Sequence, residues 1–116
     1  MISYSKDRTP KYHENMRGGN GTICITQVFG EEKIPHMRLF AEITLEPGSS
    51  IGAHVHENEA EAFYILEGEA TVVDNGNPVK LTPGQAHLCK DGEAHALQNN
   101  SSSIVRVLAA IPTEAE

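Results

Sequence analysis

The sequence predicts an all-β domain, a sandwich or barrel of short strands, and three observations carry that expectation. Apolar residues alternate with polar ones over short runs, and helical spacing of apolar residues is hard to find. Turn-forming segments, most of them containing Gly or Pro, separate the runs. The apolar positions are filled mainly by Ile, Val, Leu and Ala, with Trp absent, so the core should be aliphatic.

The elements follow in chain order. Residues 1–21 are polar, contain Pro10 and end in the run Arg17 to Gly21, which predicts an extended or flexible arm ahead of a domain spanning 22–116. Thr22 to Phe29 and Met37 to Leu45 read as strands. The second alternates Met37, Leu39, Ala41, Ile43 and Leu45 on one side with Arg38, Phe40, Glu42 and Thr44 on the other. Pro47-Gly48 breaks the chain, and Ile51 to His56 and Glu61 to Leu66 resume it. Glu67-Gly68 turns into Ala70 to Asp74, where Asn75-Gly76 is a strong hairpin signal. Val79 to Leu81, Ala86 to Cys89, Ala94 to Gln98 and Ile104 to Ile111 complete the pattern.

Composition narrows the function classes. At 116 residues the chain holds one domain and one core. Sixteen acidic residues against nine basic ones give a net charge of −7. That balance disfavours nucleic acid or an anionic membrane as partner, because both require a positive surface. No apolar run approaches a membrane span, and the N-terminus lacks a signal-peptide pattern. Cys24 and Cys89 form no CxxC pair and read as small thiols in a reducing cytoplasm.

The segment Gly48 to Gly68, GSSIGAHVHENEAEAFYILEG, carries the most chemistry. His54 and His56 stand at i and i+2 of a strand, on one face and roughly 6.6 Å apart along it. Glu61 follows five residues later. Two imidazoles so placed can share an ion if a further ligand arrives from a neighbouring strand, and histidine with carboxylate suits a divalent transition metal. In the second half, GQAHLCKDGEAHALQN places His95 just beyond a turn at Asp91-Gly92-Glu93.

With these residues in hand the chain resembles the cupin superfamily. Gly48, His54, His56, Glu61 and Gly68 match its first motif, G-x5-H-x-H-x(3,4)-E-x6-G, at every spacing. Gly84, Gly92, His95 and Asn99 match its second, G-x5-P-x-G-x2-H-x3-N, with Lys90 where proline is usual. The resemblance implies a single-domain jelly-roll barrel in which His54, His56, Glu61 and His95 hold one Mn, Fe, Ni or Zn ion. Such a set leaves positions open for water or substrate. The loss of proline at Lys90 should loosen the loop carrying His95, and Asn99 should fix a turn.

The resemblance implies two functions. The first is a metal-dependent enzyme (decarboxylase, dioxygenase, isomerase or lyase) acting on a small oxygen-rich molecule such as an organic acid or sugar derivative, with Glu61 as the catalytic candidate. The second is a non-catalytic cupin that binds or senses a small ligand. In the oxalate decarboxylases an arginine stands three residues before the first metal histidine, and Ile51 holds that place here. Phe63 shares the parity of Glu61 and is a candidate for the substrate wall or for ordinary core. Arg38 either meets an anionic substrate or, the favoured reading, pairs with Glu42 on the outside. His13 and His36 read as solvated, His87 as a minor candidate for the pocket wall, and Glu57 and Glu59 as a solvated loop. An adhesive apolar face at Ile104 to Ile111, or exchange of the arm, predicts a homodimer.

Overall fold

The computed structural model describes residues 1–114. Ten strands form: β1 (Pro10–Glu14), β2 (Thr22–Gln27), β3 (Met37–Leu45), β4 (Ser50–Val55), β5 (Glu61–Glu67), β6 (Ala70–Asp74), β7 (Asn77–Leu81), β8 (Ala86–Cys89), β9 (Ala94–Gln98) and β10 (Val105–Pro112). No α-helix occurs among the described residues. The strands make a six-stranded sheet in the order β1-β2-β3-β10-β5-β8 and a four-stranded sheet in the order β4-β9-β6-β7. Every pairing is antiparallel. The architecture is a jelly roll whose two sheets are not closed into a continuous barrel.

Strand patterning explains the core. On β3, Ala41, Ile43 and Leu45 are buried while the residues between them are half-buried. β10 repeats this with Val105, Val107, Ala109 and Ile111 inward, and β5 with Glu61, Phe63 and Ile65. Ile51, Val72 and Leu97 answer from the four-stranded sheet, so the core is aliphatic around one phenylalanine. Asn75 and Gly76 both take positive φ, 47° and 87°, as a two-residue hairpin between β6 and β7 requires. Asn99 is fully buried. Its side-chain nitrogen donates to the Leu45 and Ser103 carbonyls, and its oxygen accepts from Ser101, which stitches the turn before β10 to the end of β3.

The structure makes one expectation specific and overturns another. Within residues 1–21, Pro10–Glu14 pairs with β2 as an edge strand, Pro10 opposite Thr26 and Glu14 opposite Thr22. The apolar face of Ile104 to Ile111 is not exposed, because β10 lies between β3 and β5 and turns that face into the core. Arg106, Leu108 and Ala110 point outward instead, beside Tyr64 and Leu88, which are 47% and 51% exposed.

Candidate metal centre

Both sheets contribute to one cluster. β4 and β9 pair so that His54 lies opposite His95, and opposed residues share a face. Ile51, paired with Leu97, also faces the interior, although it and His54 differ in parity. One extra residue at Gly52–Ala53 resolves the conflict. This β-bulge shifts the register between Ile51 and His54 and re-aims the strand, so that His54 and His56 both point inward. His56 is then clamped by two backbone bonds, its N–H to the Glu93 carbonyl and the Gly92 N–H to its own carbonyl. Glu61 opens β5 and reaches the cluster from the six-stranded sheet.

The donor atoms converge tightly. Glu61 Oε1 lies 3.0 Å from His56 Nε2, 3.0 Å from His95 Nε2 and 3.9 Å from His54 Nε2. His95 Nε2 lies 3.0 Å from His56 Nε2 and 3.2 Å from His54 Nε2. The opposite ring nitrogens fix the tautomers. His54 Nδ1 donates to the Gly52 carbonyl at 2.8 Å, and His56 Nδ1 donates to Glu59 at 2.6 Å. His95 Nδ1 lies 3.2 Å from His87 Nε2. Burial and the neighbouring His95 hold the His87 imidazole below its usual pKa, toward its neutral form.

Three Nε2 atoms and a carboxylate therefore face one another in a buried space. Without a cation this arrangement is repulsive, and it is what a divalent ion requires. Bonds of roughly 2.0–2.2 Å place adjacent donors about 3.0–3.5 Å apart, and most of the measured separations fall in that range. The four residues fit the ion, and three imidazoles with one carboxylate accept several divalent metals.

Outer partners hold the ligands in place, and the sequence reading missed the most important of them. Glu59 is not a solvated loop residue. Its side chain is only 13% exposed, bonded to His56 on one side and to Arg38 on the other. Arg38 donates from Nε to Oε1 at 2.8 Å and from Nη2 to Oε2 at 2.7 Å. The Arg38 hydrogen bonds, aided by His56 and opposed by burial, hold the Glu59 carboxyl down to about 2. In the metal-free protein burial pushes Glu61 up, but contacts with protonated His54 and His95 and the field of His95 and His56 outweigh it, leaving this carboxyl also at about 2; a bound ion would take the place of those ring protons.

The expected Arg38–Glu42 pair does not form. Residues four apart on a strand lie roughly 13 Å apart, beyond contact. Glu42 instead accepts from Arg106 on the neighbouring β10 at 2.8 Å. The loop at Lys90 is not loose either. A proline there would have no N–H, whereas the Lys90 N–H donates to the Glu93 carboxylate at 2.8 Å. That carboxylate also accepts from Asn75.

A cavity of about 100 Å³ opens onto His54, His56 and Glu61. Its walls are Met16, Ile25, Leu39, Ile43, Ile51 and Ile111, with Arg38 and Arg17 also lining it. Phe63 lies behind the ligands, 1% exposed, its ring stacked on His95 at 4.9 Å and 3°. It packs against the site and is not among the residues that line the cavity. His13 and His36 are exposed. Cys24 and Cys89 are free, the first half-buried and the second buried. No helix among the described residues is long and apolar enough to cross a membrane.

Comparison with known proteins agrees with this geometry. Residues 41–111 match the model of the family described as Cupin domain. An oxalate-binding protein of Thermotoga maritima is 38% identical over 112 residues, covering 96% of this chain and 93% of that protein. A crystal structure from Thermotoga maritima, of a predicted oxalate decarboxylase, superposes with a TM-score of 0.92 at 38% identity, over 97% of this chain and 99% of the other. The polyketide cyclase RemF of Streptomyces resistomycificus shares the fold, with a TM-score of 0.79 at 20% identity, over 98% of this chain and 80% of that one.

Proposed function

This chain belongs to the cupin family, and from that premise we propose that it binds a divalent transition metal and, through the ion, a small oxygen-rich anion. The model ligand is a short dicarboxylate such as oxalate. One observation carries the reading: three imidazoles, two of them locked with Nδ1–H outward, direct their Nε2 atoms, with the Glu61 carboxylate, at a common point. Manganese, iron, nickel and zinc all suit that donor set. The bound ion supplies a Lewis acid for oxygen donors, and four protein ligands leave coordination positions for them.

The protein's own groups do the rest. Glu59 and the Gly52 carbonyl hold the His56 and His54 rings with Nδ1–H outward, and His87 braces the His95 ring. The apolar walls exclude water and strengthen the attraction between ion and anion. At about 100 Å³ the cavity falls well below the roughly 300–1,000 Å³ of drug-sized pockets, which favours a ligand of a few non-hydrogen atoms. The name of the Thermotoga maritima relative supports oxalate as the first molecule to try.

We read Glu61 as a metal ligand and not as a free base, since its carboxylate is engaged by the histidines. Beyond Glu61 and the metal histidines, the described residues lining the cavity include no carboxyl or imidazole group to move a proton. Binding is therefore the leading function, and turnover the second reading, favoured by the open coordination positions. Calorimetric titration of oxalate into Mn²⁺-loaded protein tests the proposal. Binding is expected with the ion in place and lost on chelation, and equal binding to the metal-free protein would overturn it. Incubation of oxalate with Mn²⁺-loaded protein, followed by assay for product, distinguishes binding from catalysis.

A further inference from the structure

Two arginines line the cavity, and they differ in what they have left to offer. Arg38 commits Nε and Nη2 to Glu59, so its charge is matched at the site. Arg17 has no side-chain hydrogen bond or ion pair among the described residues. It lies in the turn Met16–Gly18, with φ of 55° in the left-handed region that a non-glycine residue rarely takes. Asn15, at φ 50°, precedes that turn.

The segment is held firmly despite its local strain. The Asn15 N–H donates to the Gly21 carbonyl, the Ser50 N–H to the Asn20 carbonyl, and the Asn20 N–H to Ser50 Oγ, each at 2.9 Å. Met16 packs on the core and lines the same cavity. Two glycines let the turn lie directly on β4. A Cβ on Gly52 would sit 2.0 Å from the Arg17 carbonyl oxygen, and one on Gly19 would sit 2.2 Å from that of Ser50. Gly52 is also the residue whose carbonyl accepts from His54. Thus one residue supports a metal ligand on one side and the Arg17 backbone on the other.

Charge bookkeeping specifies the partner. A divalent ion with ionised Glu61 and three neutral imidazoles carries one net positive charge, and the Arg38–Glu59 pair adds none. Arg17 adds a second, in a chain that is otherwise strongly acidic. We propose that Arg17 is the specificity-determining residue of this site, presented by the Met16–Gly21 segment to the distal end of a small dianionic dicarboxylate held by the metal. The inference rests on the metal-anion reading above and names the anion's charge class. Arg17 discriminates because a guanidinium pairs with a carboxylate through charge-assisted hydrogen bonds, which a monocarboxylate bound at the ion does not extend to reach.

The test compares oxalate with acetate on Mn²⁺-loaded wild type, Arg17→Gln and Arg17→Lys by calorimetry, with Mn²⁺ affinity measured separately by chelator competition. Arg17→Gln is expected to weaken oxalate about tenfold or more, to leave acetate and Mn²⁺ affinity unchanged, and Arg17→Lys to recover part of the loss. Oxalate affinity unaltered in Arg17→Gln, or equal losses for both anions, would overturn the role of Arg17 while leaving metal-dependent anion binding intact. Wild-type protein that retains Mn²⁺ but binds neither anion would overturn the parent reading and this one together. Arg17 is exposed, and unchanged thermal unfolding of the variants serves as the folding control.

Discussion

Glu59 offers the sharpest test of the proposed metal centre. It lies outside the coordination sphere, yet its oxygen sits 2.6 Å from His56 Nδ1 and Arg38 holds its other face. Outer hydrogen bonds of this type are worth about 10–100-fold in metal affinity, or about 1.4–2.8 kcal/mol. Hydrogen bonds to charged groups, at about 1.5–3 kcal/mol, give the same scale independently. Glu59→Gln keeps an oxygen acceptor but loses the charge, so about a tenfold loss is expected. Glu59→Ala removes the acceptor and frees the His56 ring, so the loss should approach a hundredfold. Arg38→Ala leaves the carboxylate present but unclamped and should cost less than either. Competition against a chromophoric chelator with Mn²⁺ or Zn²⁺ measures all three. Affinities within twofold of wild type for both Glu59 variants would show that His56 is held by its backbone clamp alone, and the tautomer argument would fail.

Further outcomes follow from the same geometry. Metal at about one hundred times its Kd should stabilise the fold by about 2.7 kcal/mol, visible as a raised Tm that a chelator reverses. Glu61→Ala or His95→Ala should abolish that rise. In the metal-free protein, Glu59 has its carboxyl lowered from 4.5 to about 2, so the unfolded chain binds more protons than the folded one across that window. Its contribution is full above pH 4.5 and is lost as pH falls toward 2, so Glu59→Gln should flatten the acid limb of an unfolding titration. Asn99→Ala leaves the buried Leu45 carbonyl and the partly buried Ser103 carbonyl without their donor and should cost about 2 kcal/mol in urea unfolding. If the outward face around Tyr64, Leu88 and Leu108 joins two copies, sedimentation should show a dimer that Leu88→Glu dissociates; a monomeric wild type at micromolar concentration would exclude it.

Much of this architecture was legible in the residues. β3, β6, β8 and β9 begin and end where alternation and turn signals predict, because each has one face in the core and a local breaker at its ends. The four candidate ligands, which the structure brings into one cluster, were picked out through motif spacing, which is a local property. What escaped the reading depends on distant partners. Glu59 looked solvated because it sits among acidic neighbours in a loop, and only Arg38 on another strand reveals its role. The bulge at Gly52–Ala53 left no mark except the glycine, since alternation from Ile51 to His56 appears regular until the partner strand is known. Arg17 was hidden in a polar stretch whose docking relies on two backbone approaches, at Gly19 and Gly52. The Arg38–Glu42 expectation failed for a simpler reason, the pitch of a strand.

The central position of β10 sets the timetable of folding. The six-stranded sheet is split between an early half, β1 to β3, and a later half, β5 and β8, and only Val105–Pro112 bridges them. During synthesis both halves wait with open hydrogen-bonding edges until that segment leaves the ribosome. Assembly is therefore late and dominated by pairings between distant stretches, which makes it slow for so small a chain. Truncation just before Val105 should yield an insoluble product, even though it spares every metal ligand.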